Sequence, residues 1–275
     1  MSDPVSFMPI RFEDVGPLAP AMANPIDTSY AHKEKAIGRL RMPFASNGSY
    51  SMRHPIRDAQ GEKVGALVGG MDTLGYTYRC VYADEAGCFF LTTVPVGVTT
   101  QLGNRSYISV VDMVGELVLT GKGSKFARTH SFSLPDRWVS LGTEIVFKLI
   151  NEGQNLLYLC RYGFCFLDTR RREMLSKVEF GDLSFQACGH ALSPKVNLLA
   201  VAFSAYREKD VLDGSERYAN FIRLYDLDRG LVLGEAPLPG DAREGWSVWF
   251  SQDGRKLAAK AGSKEAAYEL AVQRA

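Results

Sequence analysis

Two turn motifs recur along this chain at a fixed step, and that step limits the fold more than any other feature of the sequence. The first motif is a strand-length apolar run ending in aspartate. Tyr107-Ile-Ser-Val-Val-Asp112, Gly163-Phe-Cys-Phe-Leu-Asp168 and Phe221-Ile-Arg-Leu-Tyr-Asp226 superimpose without a gap, and His54-Pro-Ile-Arg-Asp58 is a weaker copy. The second motif, Phe250-Ser-Gln-Asp-Gly-Arg-Lys-Leu257, aligns with Leu192-Ser-Pro-Lys-Val-Asn-Leu-Leu199 and with Leu149-Ile-Asn-Glu-Gly-Gln-Asn-Leu156. Tyr82-Ala-Asp-Glu-Ala-Gly-Cys-Phe89 matches with one extra residue. Short apolar runs cut by Gly, Asp or Asn turns are the signature of an antiparallel meander, because a strand repeats every two residues and needs a turn residue at each reversal.

From Asp58 to Ala83, from Asp168 to Ser193 and from Asp226 to Ser251 the step is 25 residues, and from Asp112 to Asn151 it is 39. The shortest return, Asn151 to Asp168, is 17, which gives a minimal unit of 42 residues. That unit holds four strands and matches the length of a propeller blade, roughly 40 to 45 residues. A single four-stranded sheet cannot bury both faces alone, so copies stacked around an axis are the physical solution.

Ile222-Arg-Leu-Tyr-Asp226-Leu, together with Phe250-Ser-Gln-Asp-Gly-Arg-Lys-Leu-Ala258, resembles the strand and turn signature of WD-repeat and related bacterial β-propellers. The resemblance covers the chain from about Tyr50 onward and is strongest after Glu144. Gly189-His190 falls inside a strand and no Trp-Asp pair ends one, so the likeness is to a divergent member. It implies an all-β propeller of four-stranded antiparallel blades, about five of them, occupying residues 37–275.

Residues 1–36 carry no period and are expected to be irregular. Three strands follow, Ile37 to Phe44, Tyr50 to Arg57 and Val64 to Gly69. The next blade is expected at Thr77 to Tyr82, Cys88 to Thr93, Tyr107 to Asp112 and Glu116 to Thr120. Two more run from Glu144 to Glu179 and from Gln186 to Pro237. The last blade, from Trp246, has three strands only. An open sheet edge invites association, so the N-terminal segment is expected to complete that blade and close the ring.

Lys plus Arg number 32 and Asp plus Glu 31, which speaks against nucleic-acid binding driven by phosphate neutralisation. The start Met1-Ser-Asp-Pro4 lacks the basic and apolar regions of a secretion signal, and no run is long enough to span a membrane, so a cytoplasmic protein is expected. Five cysteines without a Cys-x-x-Cys pair fit buried thiols, with neither a metal nor another cofactor implied.

The turns inside each blade are short, whereas Val94 to Ser106, Gly121 to Leu141, Ser204 to Asn220 and Pro239 to Glu244 carry the added length. In a propeller those connections emerge on one side of the disc. That side would present Arg105, Arg128, His130, Arg137, Trp138, Tyr206, Arg207, Lys209, Asp210 and Arg243, a mixture of charge and aromatic rings suited to gripping a protein partner. The leading expectation is a non-enzymatic interaction module, acting as an adaptor, assembly factor or neutralising antagonist. The alternative is a small-molecule, sugar or metal site in a central channel, possibly hydrolytic, lined by Arg79, Lys148 and His190. Those three residues supply no carboxylate pair for acid and base work, which weighs against an enzyme. Asp58, Asp112, Asp168 and Asp226 stand at turns, where a carboxylate is expected to bond the local backbone.

Overall fold

The computed structural model describes residues 4–19, 144–181, 185–209, 216–241, 243 and 245–272, and, between 34 and 138, the strands below with Pro135 and Trp138. Twenty strands follow β1 (Val5–Ile10): β2 (Glu34–Ile37), β3 (Leu40–Pro43), β4 (Met52–Arg57), β5 (Lys63–Gly69), β6 (Thr77–Ala83), β7 (Cys88–Val94), β8 (Ser106–Asp112), β9 (Glu116–Leu119), β10 (Arg128–Leu134), β11 (Glu144–Ile150), β12 (Asn155–Cys160), β13 (Gly163–Asp168), β14 (Glu173–Glu179), β15 (Phe185–Leu192), β16 (Leu198–Lys209), β17 (Glu216–Asp226), β18 (Leu231–Pro237), β19 (Ser247–Phe250), β20 (Lys256–Ala261) and β21 (Lys264–Val272). The described residues contain only strands and 3-10 turns, so the all-β expectation holds.

Four sheets have four strands, in the orders β10-β8-β7-β6, β11-β12-β13-β14, β15-β16-β17-β18 and β1-β21-β20-β19. The fifth, β2-β3-β4-β5-β9, has five. The chain divides into two compact units, one of Met1–Ala23, Arg161–Phe166 and Leu175–Ala275, the other of Asn24–Cys160 and Leu167–Met174.

In the second unit the sequence expectation needs correcting. The sequence places Glu116 to Thr120 as the outer strand of the sheet containing β6, β7 and β8. Instead β10 pairs antiparallel with β8, and β9 pairs parallel with β5 from Ala66↔Glu116 to Gly69↔Leu119. Six register pairs join β10 to β8, against the four that the short β9 forms with β5. A parallel neighbour requires a long crossover, and β6, β7 and β8 supply it.

In the first unit the strand alternation builds two faces. From the sheet β15–β18, Ala200, Ala202, Ile222, Leu224 and Ala236 point one way and meet Trp246, Val248, Phe250, Leu257, Ala259 and Tyr268 of the last sheet in one buried cluster. Odd-numbered Phe203, Phe221 and Tyr225 point the other way, where Phe164 and Phe180 meet Phe203 and Tyr225 at ring separations of 4.9 to 5.5 Å and Phe221 stacks on Phe203 at 5.1 Å. The small residues on the first face let the sheets approach closely. Gly189 sits opposite the Trp246 carbonyl, and Gly234 opposite the Val5 carbonyl.

The N-terminal segment is more regular than its composition suggests. β1 pairs with β21 over six residues, from Val5↔Val272 to Ile10↔Ala267, and so is the fourth strand of the last sheet. A 3-10 turn, Phe12–Val15, then lays Val15 against Ala258 and Ala267, with Ile10, Phe12 and Leu18 around them. The segment ends beside β19, where Ala19 N–H donates to Phe250 O (2.8 Å) and Gln252 N–H to Pro17 O (3.0 Å). Periodicity could not show this, because a strand of six residues containing Pro9 and followed at once by a turn has too few alternations to read.

Both turn motifs behave as expected. Asp168 accepts from Arg171 N–H (2.8 Å) and Asp226 from Arg229 N–H (3.0 Å). At the second turn Asp253 accepts from Arg255 N–H (3.0 Å) and from the Ser251 hydroxyl (2.6 Å), while Gly254 takes φ +73°, a conformation that glycine adopts without a Cβ penalty. The side chains of Asp58 and Asp112 lie outside the described set.

Candidate interaction surface

The segment Ser204 to Asn220 was expected to be a loop. Most of it is a ribbon. β15 stops pairing at Phe185↔Ala205 and β18 at Phe221↔Pro237, yet β16 and β17 continue together through Tyr206↔Tyr218 and Glu208↔Arg217 to Lys209↔Glu216. Among the described residues the hairpin thus runs past the ends of β15 and β18 as a two-stranded arm, with Leu238 to Asp241 still bonded to β17 at Asn220 and Tyr218.

The charges along the two strands agree with its register. Ala205-Tyr206-Arg207-Glu208 is mirrored by Glu216-Arg217-Tyr218-Ala219, so an unbroken ladder would set Arg207 against Arg217 and Glu208 against Glu216. Like charges directly opposite destabilise a strand pair, and opposite charges stabilise it by a few tenths of a kcal/mol to about 1 kcal/mol. The bulge between Tyr206 and Glu208 takes Arg207 out of the ladder and shifts the register by one residue. Glu208 is then the register partner of Arg217, and Lys209 that of Glu216.

A buried polar chain anchors the arm. The Ser204 hydroxyl donates to Asn220 Oδ1 (2.6 Å), and the Asn220 amide donates to Gly240 O (2.9 Å). Cys188 Sγ lies 3.7 Å from the same hydroxyl. Tyr218 N–H donates to Asp241 O (2.5 Å), tying the following loop to the arm. Ser204 and Asn220 are both buried, so removing either side chain takes a hydrogen bond from the other away from water. Above this base the Tyr206 and Tyr218 rings meet edge to face at 5.8 Å, with Tyr206 42 % exposed. Arg207, Arg217 and Arg243 are exposed.

Of the residues expected on the partner face, Tyr206, Arg207, Lys209 and Arg243 thus belong to the arm or to the loop tied to it. Arg105, Arg137 and Asp210 lie outside the described residues. Arg128 and His130 were expected in a connection and instead stand in β10, drawn into the ladder with β8. Trp138 is a correction. It is fully buried, stacks on Tyr158 at 6.1 Å, and its carbonyl accepts from the Tyr158 hydroxyl (3.0 Å), so it belongs to the core of its unit and not to a surface. Arg217 and Tyr218 were missed, although the mirrored sequence carries the signal for them.

The residues expected to line a channel are strand residues. Arg79 stands in β6 and Lys148, half-buried, in β11. His190 stands in β15 opposite Val201, and its shielding from water pushes the imidazole pKa down to about 4. A histidine whose folded pKa lies below its unfolded value of roughly 6.5 is kept neutral by the fold, so the unfolded chain binds the extra proton between those values. Stability contributed by neutral His190 is complete above about pH 6.5 and is lost as pH falls toward 4, to a total of up to about 3 kcal/mol. Denaturation midpoints measured from pH 7 to pH 4 should fall more steeply in the parent than in His190→Gln; parallel curves would contradict this.

An open groove of about 330 Å³ runs beside β1, β18 and β21. Its lining is apolar except for Ser6, Glu235 and the Tyr268 hydroxyl; Tyr268 donates to the Pro237 carbonyl and Glu235 is held by Arg223 at 2.7 Å. Among the described residues no three His, Cys, Asp or Glu side chains gather as a metal site, and no helix is long and apolar enough to cross a membrane.

No family model and no curated protein matches the sequence. Among solved structures, the chain is similar to the beta-propeller domain of Myceliophteria thermophila Cps50 (Swd1), with 9 % identity, a TM-score of 0.39, and coverage of 85 % of this chain and 80 % of that one.

Proposed function

We propose that the chain is a divergent β-propeller acting as a non-enzymatic protein-interaction module, and that the β16–β17 arm is its gripping element. The observation that carries this reading is the ladder of the arm continuing past both neighbouring strands. A ribbon that projects from its sheet contributes little to the core, so its retained length, its bulge and its buried polar anchor are better explained by contact with another molecule. Tyrosine and arginine are the residue types that dominate interface energetics, and Tyr206, Arg207, Arg217 and Arg243 provide them on one end of the sheets. Blade-on-blade stacking around an axis, with β1 closing the ring, is the arrangement that the 42-residue unit favours.

The test is capture of a partner from the native host with the tagged chain. Changing Tyr206 and Arg207 together to alanine should reduce capture about tenfold or more, with the melting temperature nearly unchanged, since exposed positions cost the fold little. Undiminished capture by that double variant, with loss of ligand in His190 or Lys148 variants, would move the function to a channel site.

A further inference from the structure

The N-terminal stretch touches both ends of the last sheet. β1 completes one end beside β21, and residues 17–19 reach the other, where β19 pairs with β20 on one side only. Leu18 forms an antiparallel bridge with Ser251, Ala19 N–H donates to Phe250 O (2.8 Å), and Gln252 N–H donates to Pro17 O (3.0 Å). Three residues thus stand where a fifth strand would begin. Ala19 is buried there, and Leu18 packs against the cluster of Val15, Ala258 and Ala267. The occupant is shorter than the edge. Successive residues of a strand turn their backbone groups to opposite sides, so Val248 faces the same side as Phe250. Among the described residues no backbone bond reaches Val248 from that side. Gly16 joins these three residues to the buried Val15 at φ +77°, and a Cβ on it would meet nothing within 4 Å, so this glycine serves the direction of the backbone and not packing.

We propose that the free edge of β19 is a strand-addition site for an extended peptide of small and aliphatic residues from a partner protein, and that residues 17–19 hold it closed in cis. A sheet edge takes up a peptide through main-chain bonds, and the side chains beside the edge set the preference. The seated residues show what this edge accepts: Leu18 is aliphatic, Ala19 is small, and neither carries charge. Two backbone bonds hold the clamp, whereas the six register pairs of β1 and the burial of Val15 anchor the chain before Gly16, so the clamp can leave while β1 stays. A peptide that bonds Val248 as well as Phe250 gains contacts that the clamp does not make. The site lies on a different sheet from the β16–β17 arm and does not depend on it.

Ala19→Pro removes the N–H from which Phe250 accepts and leaves β1 in place. In the full chain, hydrogen exchange of the Gln252 amide should then quicken about tenfold or more, as a locally opened segment exchanges faster than the fold around it. A fluorescein-labelled synthetic peptide spanning residues 14–23 should bind this variant about tenfold more tightly than the parent, whose site is occupied in cis. The bound peptide should slow exchange at Val248. Leu18→Ser is a second route to release if the proline variant folds poorly. Tyr206→Ala, on the arm, should bind the peptide no better than the parent. Release of the clamp, seen at Gln252, without a gain in peptide binding overturns the proposal. So do two variants that leave Gln252 exchange unchanged, or a bound peptide that leaves Val248 exchange unaltered.

Discussion

Gly189→Ala is expected to destabilise the fold by about 3 kcal/mol or more, as overpacking against rigid backbone does. A Cβ built at Gly189 falls 2.1 Å from the Trp246 carbonyl oxygen and 2.9 Å from its carbon. Both are main-chain atoms of the segment entering β19, and Trp246 N–H donates to Cys188 O at 3.1 Å in the same contact. An alanine cannot be accommodated by rotating a side chain; β15 and the entry to β19 must separate, and the bond between them is lost with the packing of Trp246. Gly245→Ala is the control, because a Cβ there meets nothing within 4 Å. Urea denaturation followed by tryptophan fluorescence should show a large drop for the first variant and a change within about 1 kcal/mol for the second. Equal effects would mean that the strands are not in backbone contact.

Removing residues 1–19 is expected to have the other large effect. The deletion strips β1 from β21, uncovers Ala258 and Ala267, and removes the edge-to-face contact between Phe7 and Tyr268 at 5.6 Å. Val5, Phe7, Ile10, Phe12, Val15 and Leu18 lose their burial together. Even at half burial, about 1 kcal/mol each gives a loss near the lower end of whole-domain stability, about 5 kcal/mol. The truncated chain should therefore melt at markedly lower temperature, or aggregate through the exposed β21 edge. Phe7→Ala should reproduce a part of the loss, about 2 kcal/mol. A truncated protein that melts like the full chain would show that the segment is an ornament.

How much of this was legible beforehand depended on whether a signal was local. The turn aspartates and Gly254 were readable because each fixes its own backbone within three residues. The strands from Glu144 onward were readable because their alternation is long and their turns are short. β9 misled, since Leu117-Val-Leu119 looks like any outer strand, and nothing in four residues tells an antiparallel neighbour from a parallel one some 50 residues away. Trp138 misled for the opposite reason. It lies in a connection, and burial there is decided by Tyr158, a residue that no local pattern links to it. The arm was present in the sequence as a mirrored word, but a two-residue strand period sees only a charged loop there. The bulge that makes the charges agree appears once the two halves are laid side by side.

The pairing of β1 with β21 also sets an order of events. The Ser6 hydroxyl donates to the Ala271 carbonyl 265 residues further along the chain. During synthesis β1 waits for β21, whereas the described strands made in between pair at separations of about 50 residues or fewer. Contacts of such long sequence separation form late, after the chain has lost most of its freedom to search. The last sheet is thus a checkpoint: a chain released early, or one whose first strand has strayed to another edge, keeps an open ladder on β21. The exposed side of that ladder is what chaperones and neighbouring chains would meet first.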